Sequence, residues 1–176
     1  AIPDKDGQLC TATAIGFEQG DPAKPVFGRA ATNMRRVHPE SVCTFAKRAR
    51  GKEDVPAVVD KDGRVWTTGE MEALFLRWRL DYAQEFIGER IVGVLITVPA
   101  NFNDAQRRAS LAVVEQAGYT PIGTINEPTA ALLRYAQGKN GTLLVTDVGK
   151  GTSDISIIAV DGNTFTIRAA AGRSDL

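Results

Sequence analysis

The stretch Thr146-Asp147-Val148-Gly149-Lys150-Gly151-Thr152-Ser153-Asp154 constrains this chain more than any other. An apolar run, Leu143 to Val145, delivers an aspartate to a glycine turn. The alternating run Ile155, Ile157, Ile158, Val160 carries a second aspartate away. That pattern predicts a strand–turn–strand hairpin with two carboxylates at its tip. Glycines let backbone N–H groups approach a bound anion closely, and successive N–H groups in a turn can form an anion nest. Carboxylates beside a phosphate commonly hold Mg²⁺ or its waters. Taken alone, the turn reads equally well as an ordinary hairpin. It is not a Walker loop, because a strand rather than a helix follows the glycines.

The elements around the hairpin narrow the architecture. Residues 11–17 and 24–27 read as short strands, and 28–37 as a short helix ended by His38-Pro39. Asp60-Lys61-Asp62-Gly63 predicts a turn between strands at 57–59 and 65–67. Thr67-x-x-Glu70 is a capping-box signature. Beyond it, Met71, Leu74, Phe75, Trp78, Tyr82, Phe86 and Ile87 recur at helical spacing, a stripe that reads as core. Residues 91–98 are apolar and largely β-branched, which predicts a strand buried on both faces. Asn103-x-x-Gln106 caps the next helix and Gly118 stops it. A strand over 121–125 and a helix opened by Asn126-Glu127-Pro128 and ended at Gly138 come before the hairpin; Asp161-Gly162-Asn163 then turns into a third strand, 164–169. The order strand, helix, strand, helix, then three strands predicts an α/β fold with mixed sheets: a crossover unit followed by an antiparallel meander. Lys139-Asn140-Gly141 is the expected lobe boundary.

Composition excludes some classes. Among 176 residues, 21 basic and 21 acidic side chains cancel, so nothing calls for nucleic acid or an anionic membrane. No apolar run is long enough to cross a bilayer, and no secretory leader is visible. Cys10 and Cys43 lack metal-type spacing and read as thiols in a reducing compartment. His38, the one histidine, reads as structural. Both ends, Ala1-Ile2-Pro3 and Gly172-Arg173-Ser174-Asp175-Leu176, read as cuts in a longer protein.

Other segments carry charge suited to a site. Glu127 stands at a strand-to-helix junction, where active-site carboxylates often lie. Lys47 and Arg48 follow Phe45-Ala46; alone they read as a solvated surface pair, although lysine can reach a phosphate and arginine can fork onto a carboxylate.

Three segments together carry a family resemblance. They are Val98-Pro99-Ala100-Asn101-Phe102-Asn103-Asp104-Ala105-Gln106-Arg107, then Ile125-Asn126-Glu127-Pro128-Thr129-Ala130-Ala131, then the Asp147 hairpin. In order and spacing they resemble the DnaK-type (seventy-kilodalton heat-shock) chaperones. The resemblance implies an incomplete actin-like, ribonuclease H-like ATPase fold. Residues 1–139 would be most of lobe I of the nucleotide-binding domain, and 140–176 the first strands of lobe II. By position, Lys47 resembles the lysine that orients the attacking water. Glu127 and Asp147 resemble the carboxylates around Mg²⁺ and its waters. Gly149, Lys150, Gly151 and Thr152 resemble the loop that receives the γ-phosphate, and Thr152 is counted with the catalytic set. Asp154 resembles the aspartate after that loop. Pro99 and Arg107 resemble a switch pair coupling nucleotide state to substrate release, and Asn103 and Asp104 belong to a co-chaperone surface. The implied ligands are ATP or ADP with Mg²⁺. The implied partners are a J-domain co-chaperone, a nucleotide exchange factor and unfolded polypeptides, with no nucleic acid and no membrane.

The implied role is ATP-driven protein folding in the stress response, in the cytoplasm, with an organelle lumen left open. Residues 1–176 alone are expected to bind ATP poorly, to be inactive as an ATPase and to self-associate through exposed apolar surface.

Four positions depart from the family pattern. Lys150 replaces a glycine of the phosphate turn, Asn101 an aromatic residue, Gly123 an arginine that helps engage the J-domain, and Arg173 an acidic residue. They leave open a second reading, a non-hydrolysing pseudo-ATPase scaffold like the atypical members of the ribosome-associated chaperone complex.

Overall fold

A computed structural model describes all residues except 6, 45, 53, 54, 137, 149–152 and 174–176; the side chains of 134 and 173 are also outside it. The chain forms two compact units. The first comprises Ala1–Val94 and Ala112–Pro121, the second Leu95–Leu111 and Ile122–Leu176.

In the first unit, β1 (Ile15–Phe17) is the centre of a three-stranded sheet, flanked by β2 (Pro25–Phe27) and β3 (Val42–Cys43) and antiparallel to both. Helix α1 (Gly28–Met34) packs Ala31 with Ala14 and Val42. A hairpin of β4 (Pro56–Val59) and β5 (Val65–Thr67) follows. Asp60 organises its turn: Oδ1 accepts from the N–H groups of Asp62 (3.0 Å) and Arg64 (2.9 Å), and Oδ2 accepts from Trp66 Nε1 (2.9 Å). The bond from Trp66, followed by those from the backbone, holds the Asp60 carboxyl below its ordinary range. The main core gathers Ile15, Phe17, Cys43, Val58 and Met71.

Helix α2 (Thr68–Ile87) begins at the expected capping box. Thr67 Oγ1 accepts from Glu70 N–H (3.2 Å), and Glu70 Oε2 accepts from Thr67 N–H (2.8 Å). Gly88, at φ +70°, ends it. Trp78 stacks on Phe27 with centroids 4.8 Å apart. The expected core stripe does not extend to the last turn. Phe86 and Ile87 are half exposed, because α2 buries residues fully only in its first two turns, at Thr68, Met71 and Ala73.

β6 (Val94–Val98) pairs with β7 (Pro121–Asn126), both strands lying in the second unit but for their first residues; α3 (Asp104–Gln116), whose residues from 112 onward belong to the first unit, connects them. Val94 N–H donates to Thr120 O (2.8 Å), so the strands start side by side, as a crossover requires. The sequence pattern predicts a strand buried on both faces over 91–98. The strand is shorter and alternates half-buried with exposed residues, Leu95 among the exposed. Among the described residues it pairs with β7 alone, and a two-stranded sheet cannot be covered on both faces by its own crossover.

Helix α4 (Glu127–Tyr135), with Pro128 in its first turn, leads to the meander of β8 (Gly141–Val148), β9 (Ser153–Asp161) and β10 (Thr164–Arg173). β9 is central and antiparallel to both neighbours. Its buried face reads Asp154, Ser156, Ile158, Val160, polar at the start of the strand and apolar toward its end. Leu132 and Ala136 pack on the apolar end with Ile158 and Val160. Leu144, Val148, Ile155 and Ile157 stay exposed on the other face. β10 outruns the expected 164–169 strand and contains a bulge between Ile167 and Ala169.

Candidate functional site

Most of the expected site residues lie at two ends of the second unit. At the first, β6 runs into Pro99, which is fully buried, and the loop 99–103 leads into α3. Asn103 and Gln106 cap that helix reciprocally: Asn103 Oδ1 accepts from Gln106 N–H (2.9 Å), and Gln106 Oε1 accepts from Asn103 N–H (3.0 Å). Asp104 opens the first turn, where the helix dipole favours a carboxylate. One turn later, Arg107 folds back over the loop. Its Nε donates to Phe102 O (3.0 Å), and its Nη2 donates to Ala100 O (3.3 Å) and to Asn126 Oδ1 (2.8 Å).

That last bond joins the loop after β6 to the end of β7. Asn126 occupies the N-cap position of α4 but makes no cap with its side chain; its Oδ1 is given to Arg107 instead. Glu127, the next residue, starts α4, so its carboxylate lies at the positive end of the helix. Arg107 thus fixes the backbone junction that carries Glu127, and Pro99 is buried at the root of the same loop.

At the other end, Asp147 and Asp154 are directly paired across β8 and β9. Like charges facing each other on neighbouring strands are unfavourable unless something positive comes between or beside them. Asp147 is exposed and Asp154 is buried. On its other side Asp154 pairs with Gly172 of β10. A β-carbon at Gly172 would stand 2.1 Å from Asp154 Oδ1, so the glycine makes the space this carboxylate occupies. Gly149, Lys150, Gly151 and Thr152, the expected phosphate turn, lie outside the described residues.

Lys47 belongs to the first unit, in a 3-10 turn (Ala46–Ala49). It is exposed, and beside it Arg50 forms a buried ion pair with Glu72 of α2. Burial pushes the Glu72 carboxyl up, against the pull of Arg50 first and then Lys47. The pair ties the turn that carries Lys47 to α2.

Glu127 and Arg107 are thus linked through Asn126, and Asp147 is paired with Asp154. Asn103 caps α3 with Gln106, and Asp104 lies in that helix's first turn. Sequence reasoning missed Gly172, Arg50 and Glu72. No spacing links Arg50 to Glu72, whereas Gly172 follows from the meander once the register of β10 is known. Among the described residues, no group of three or more His, Cys, Asp or Glu is arranged to hold a metal directly.

The family model described as Hsp70 protein matches residues 2–176. Proteins of that family are chaperones that bind nucleotide, generally with Mg²⁺, on an actin-like ATPase fold and work with co-chaperones and unfolded substrates. With a match over all but the first residue, this chain belongs to the Hsp70 family.

Proposed function

We propose that this chain is part of the ATPase domain of a DnaK-type chaperone that couples ATP binding and hydrolysis to the binding of unfolded protein in the cytoplasm. The observation that carries the reading is the placement of Asp147 and Asp154 opposite each other on β8 and β9, with Gly172 making room for Asp154. In this reading, residues 1–139 serve as most of lobe I and 140–176 begin lobe II. A pair of carboxylates suits Mg²⁺, which keeps most of its waters and needs no full protein cage. Asp147 and Glu127 would hold it through those waters, and the bound ion would neutralise phosphate charge. Lys47 would orient water for attack, and residues 149–152, Thr152 among them, would cradle the γ-phosphate. Phosphoryl transfer to water needs positioning and charge neutralisation more than covalent help, and this residue set offers both. Pro99 and Arg107 would relay the nucleotide state, Arg107 through Asn126 to the Glu127 junction. Asn103 and Asp104 would meet a J-domain co-chaperone, and a nucleotide exchange factor would complete the cycle.

A specific observation favours a second reading, a non-hydrolysing scaffold. Gly123 stands where the family usually has an arginine, and its φ of +151° is one that side-chain-bearing residues rarely adopt. The departure therefore involves the backbone as well as the side chain. Lys150, where the family pattern has a glycine, points the same way.

Single-turnover ATP hydrolysis by the longer protein containing these residues separates the two. The chaperone reading expects turnover that falls at least about a hundredfold in Lys47→Ala and Asp147→Asn. ATP binding without turnover would establish the scaffold.

A further inference from the structure

A polar cleft in the first unit lies outside all of this machinery. It is a space of about 510 Å³, lined by Arg77, Asp81 and Gln84 of α2, by residues 90–92 and by residues 117–120. That volume is in the range of ligand-binding sites. Arg77, Asp81 and Gln84 fall on one face of α2 by their spacing. The side chains they present are unequally occupied. Asp81 Oδ1 accepts from Tyr119 Oη (2.7 Å), while its Oδ2 is 3.8 Å from Arg77 Nε, too long for a hydrogen bond. The Arg77 fork therefore keeps its donors. Gln84 Oε1 accepts from Ile91 N–H (2.8 Å), which orients the amide and leaves its NH₂ group as a donor. Arg90 makes no ion pair among the described residues. Two arginines and one carboxylate thus line the cleft, and the carboxylate is already engaged by a phenol.

Tyr119 keeps that arrangement over the accessible pH range. Burial, then the hydrogen bond to Asp81 and its charge, push the phenol up to about 12. The proton stays on Tyr119 and the bond to Asp81 persists.

We propose that this cleft binds a protein segment presenting a carboxylate next to an apolar residue. A guanidinium matches a carboxylate bidentately, and the cleft wall holds two arginines. The excess of one positive charge, with Asp81 in the wall, suits a monoanion better than a phosphate dianion. The apolar part has its own contact surface in Val92, which is 86% exposed, beside the half-buried Ile91. The nucleotide chemistry uses none of these residues, so this inference stands or falls separately from the proposed function.

The test is a titration of the whole chain into a fluorescein-labelled peptide of alternating aspartate and leucine, read by anisotropy. Saturable binding is expected, weakened at least tenfold in Arg90→Glu. It should weaken severalfold in Tyr119→Phe, where Asp81 regains its full charge beside Arg77. Arg35→Glu, an exposed arginine elsewhere on the unit, should bind as the unaltered chain does, and circular dichroism would verify that each variant is folded. Three results would overturn the proposal: no saturable binding, equal binding by folded Arg90→Glu, or full displacement of the peptide by inorganic phosphate at equal concentration.

Discussion

Replacing Gly172 by alanine tests the geometry of the candidate site directly. The added β-carbon would lie 2.1 Å from Asp154 Oδ1, 3.0 Å from its Cγ and 3.0 Å from the Ser153 carbonyl oxygen. Ordinary contact begins near 3.4 Å, so the Asp154 carboxylate must move by more than 1 Å. It has little room to do so, being 4% exposed. Overpacking of this kind costs about 1–3 kcal/mol. Gly172 is not among the glycines at positive φ, so alanine fits the backbone and regains about 0.4–1 kcal/mol through the unfolded chain. The net expectation is a loss of about 1–2 kcal/mol in urea unfolding, or roughly 2–8 °C in Tm for a chain of this size. Asp154→Ala removes the obstructing group, so the double variant should recover the loss due to Gly172→Ala. The cycle should then give a coupling of about 1 kcal/mol or more. If Gly172→Ala is as stable as the unaltered chain, or simply additive with Asp154→Ala, then Gly172 does not shape the space around Asp154.

Two further outcomes follow from the first unit. Arg50→Met leaves the Glu72 carboxylate buried without its partner and should cost about 3–5 kcal/mol at neutral pH. Glu72 already has a raised pKa; its contribution is full below the unfolded carboxylate value and is lost as pH rises through the folded one. Removing Arg50 raises that value further, so the deficit relative to the unaltered chain should shrink at about pH 4–5. An equal deficit at both pH values in urea unfolding would mean lost packing rather than a stranded charge, whereas Arg50→Met/Glu72→Leu should recover most of the stability. Thr67→Ala removes half of the capping box of α2 and should cost about 1 kcal/mol; thermal unfolding unchanged by it would show that the box is dispensable.

Much of this fold was legible because its signals are local. The capping boxes at Thr67 and Asn103 depend on side chains three residues apart, and both formed. The hairpins around Asp60 and Asp161 depend on turn chemistry and period-two patterning, and both formed. Burial was less legible. The same apolar spacing that correctly buries Met71 also marks Phe86 and Ile87, which are exposed. Helical periodicity says which face is apolar but not how far along the helix a covering partner reaches. The strand at 94–98 fails for the same reason: β-branched residues favour a pleated backbone whether or not both faces are covered. At the site, the motif residues were legible as types, and Asn126 was among them. That its side chain serves Arg107 rather than its own helix was not.

The sequence by itself determined the family, the order of elements and the two aspartates flanking a glycine-containing segment, because motifs, caps and alternation are properties of near neighbours in the chain. Tertiary structure alone decided what faces those aspartates. Counted back from the Asp161–Thr164 pair, an unbroken ladder would set Ala171 opposite Asp154, with a methyl group where the carboxylate lies. The bulge between Ile167 and Ala169 shifts β10 by one residue and brings Gly172 there instead. Strand register is a long-range agreement between two backbones, and one extra residue exchanges the faces of everything beyond it.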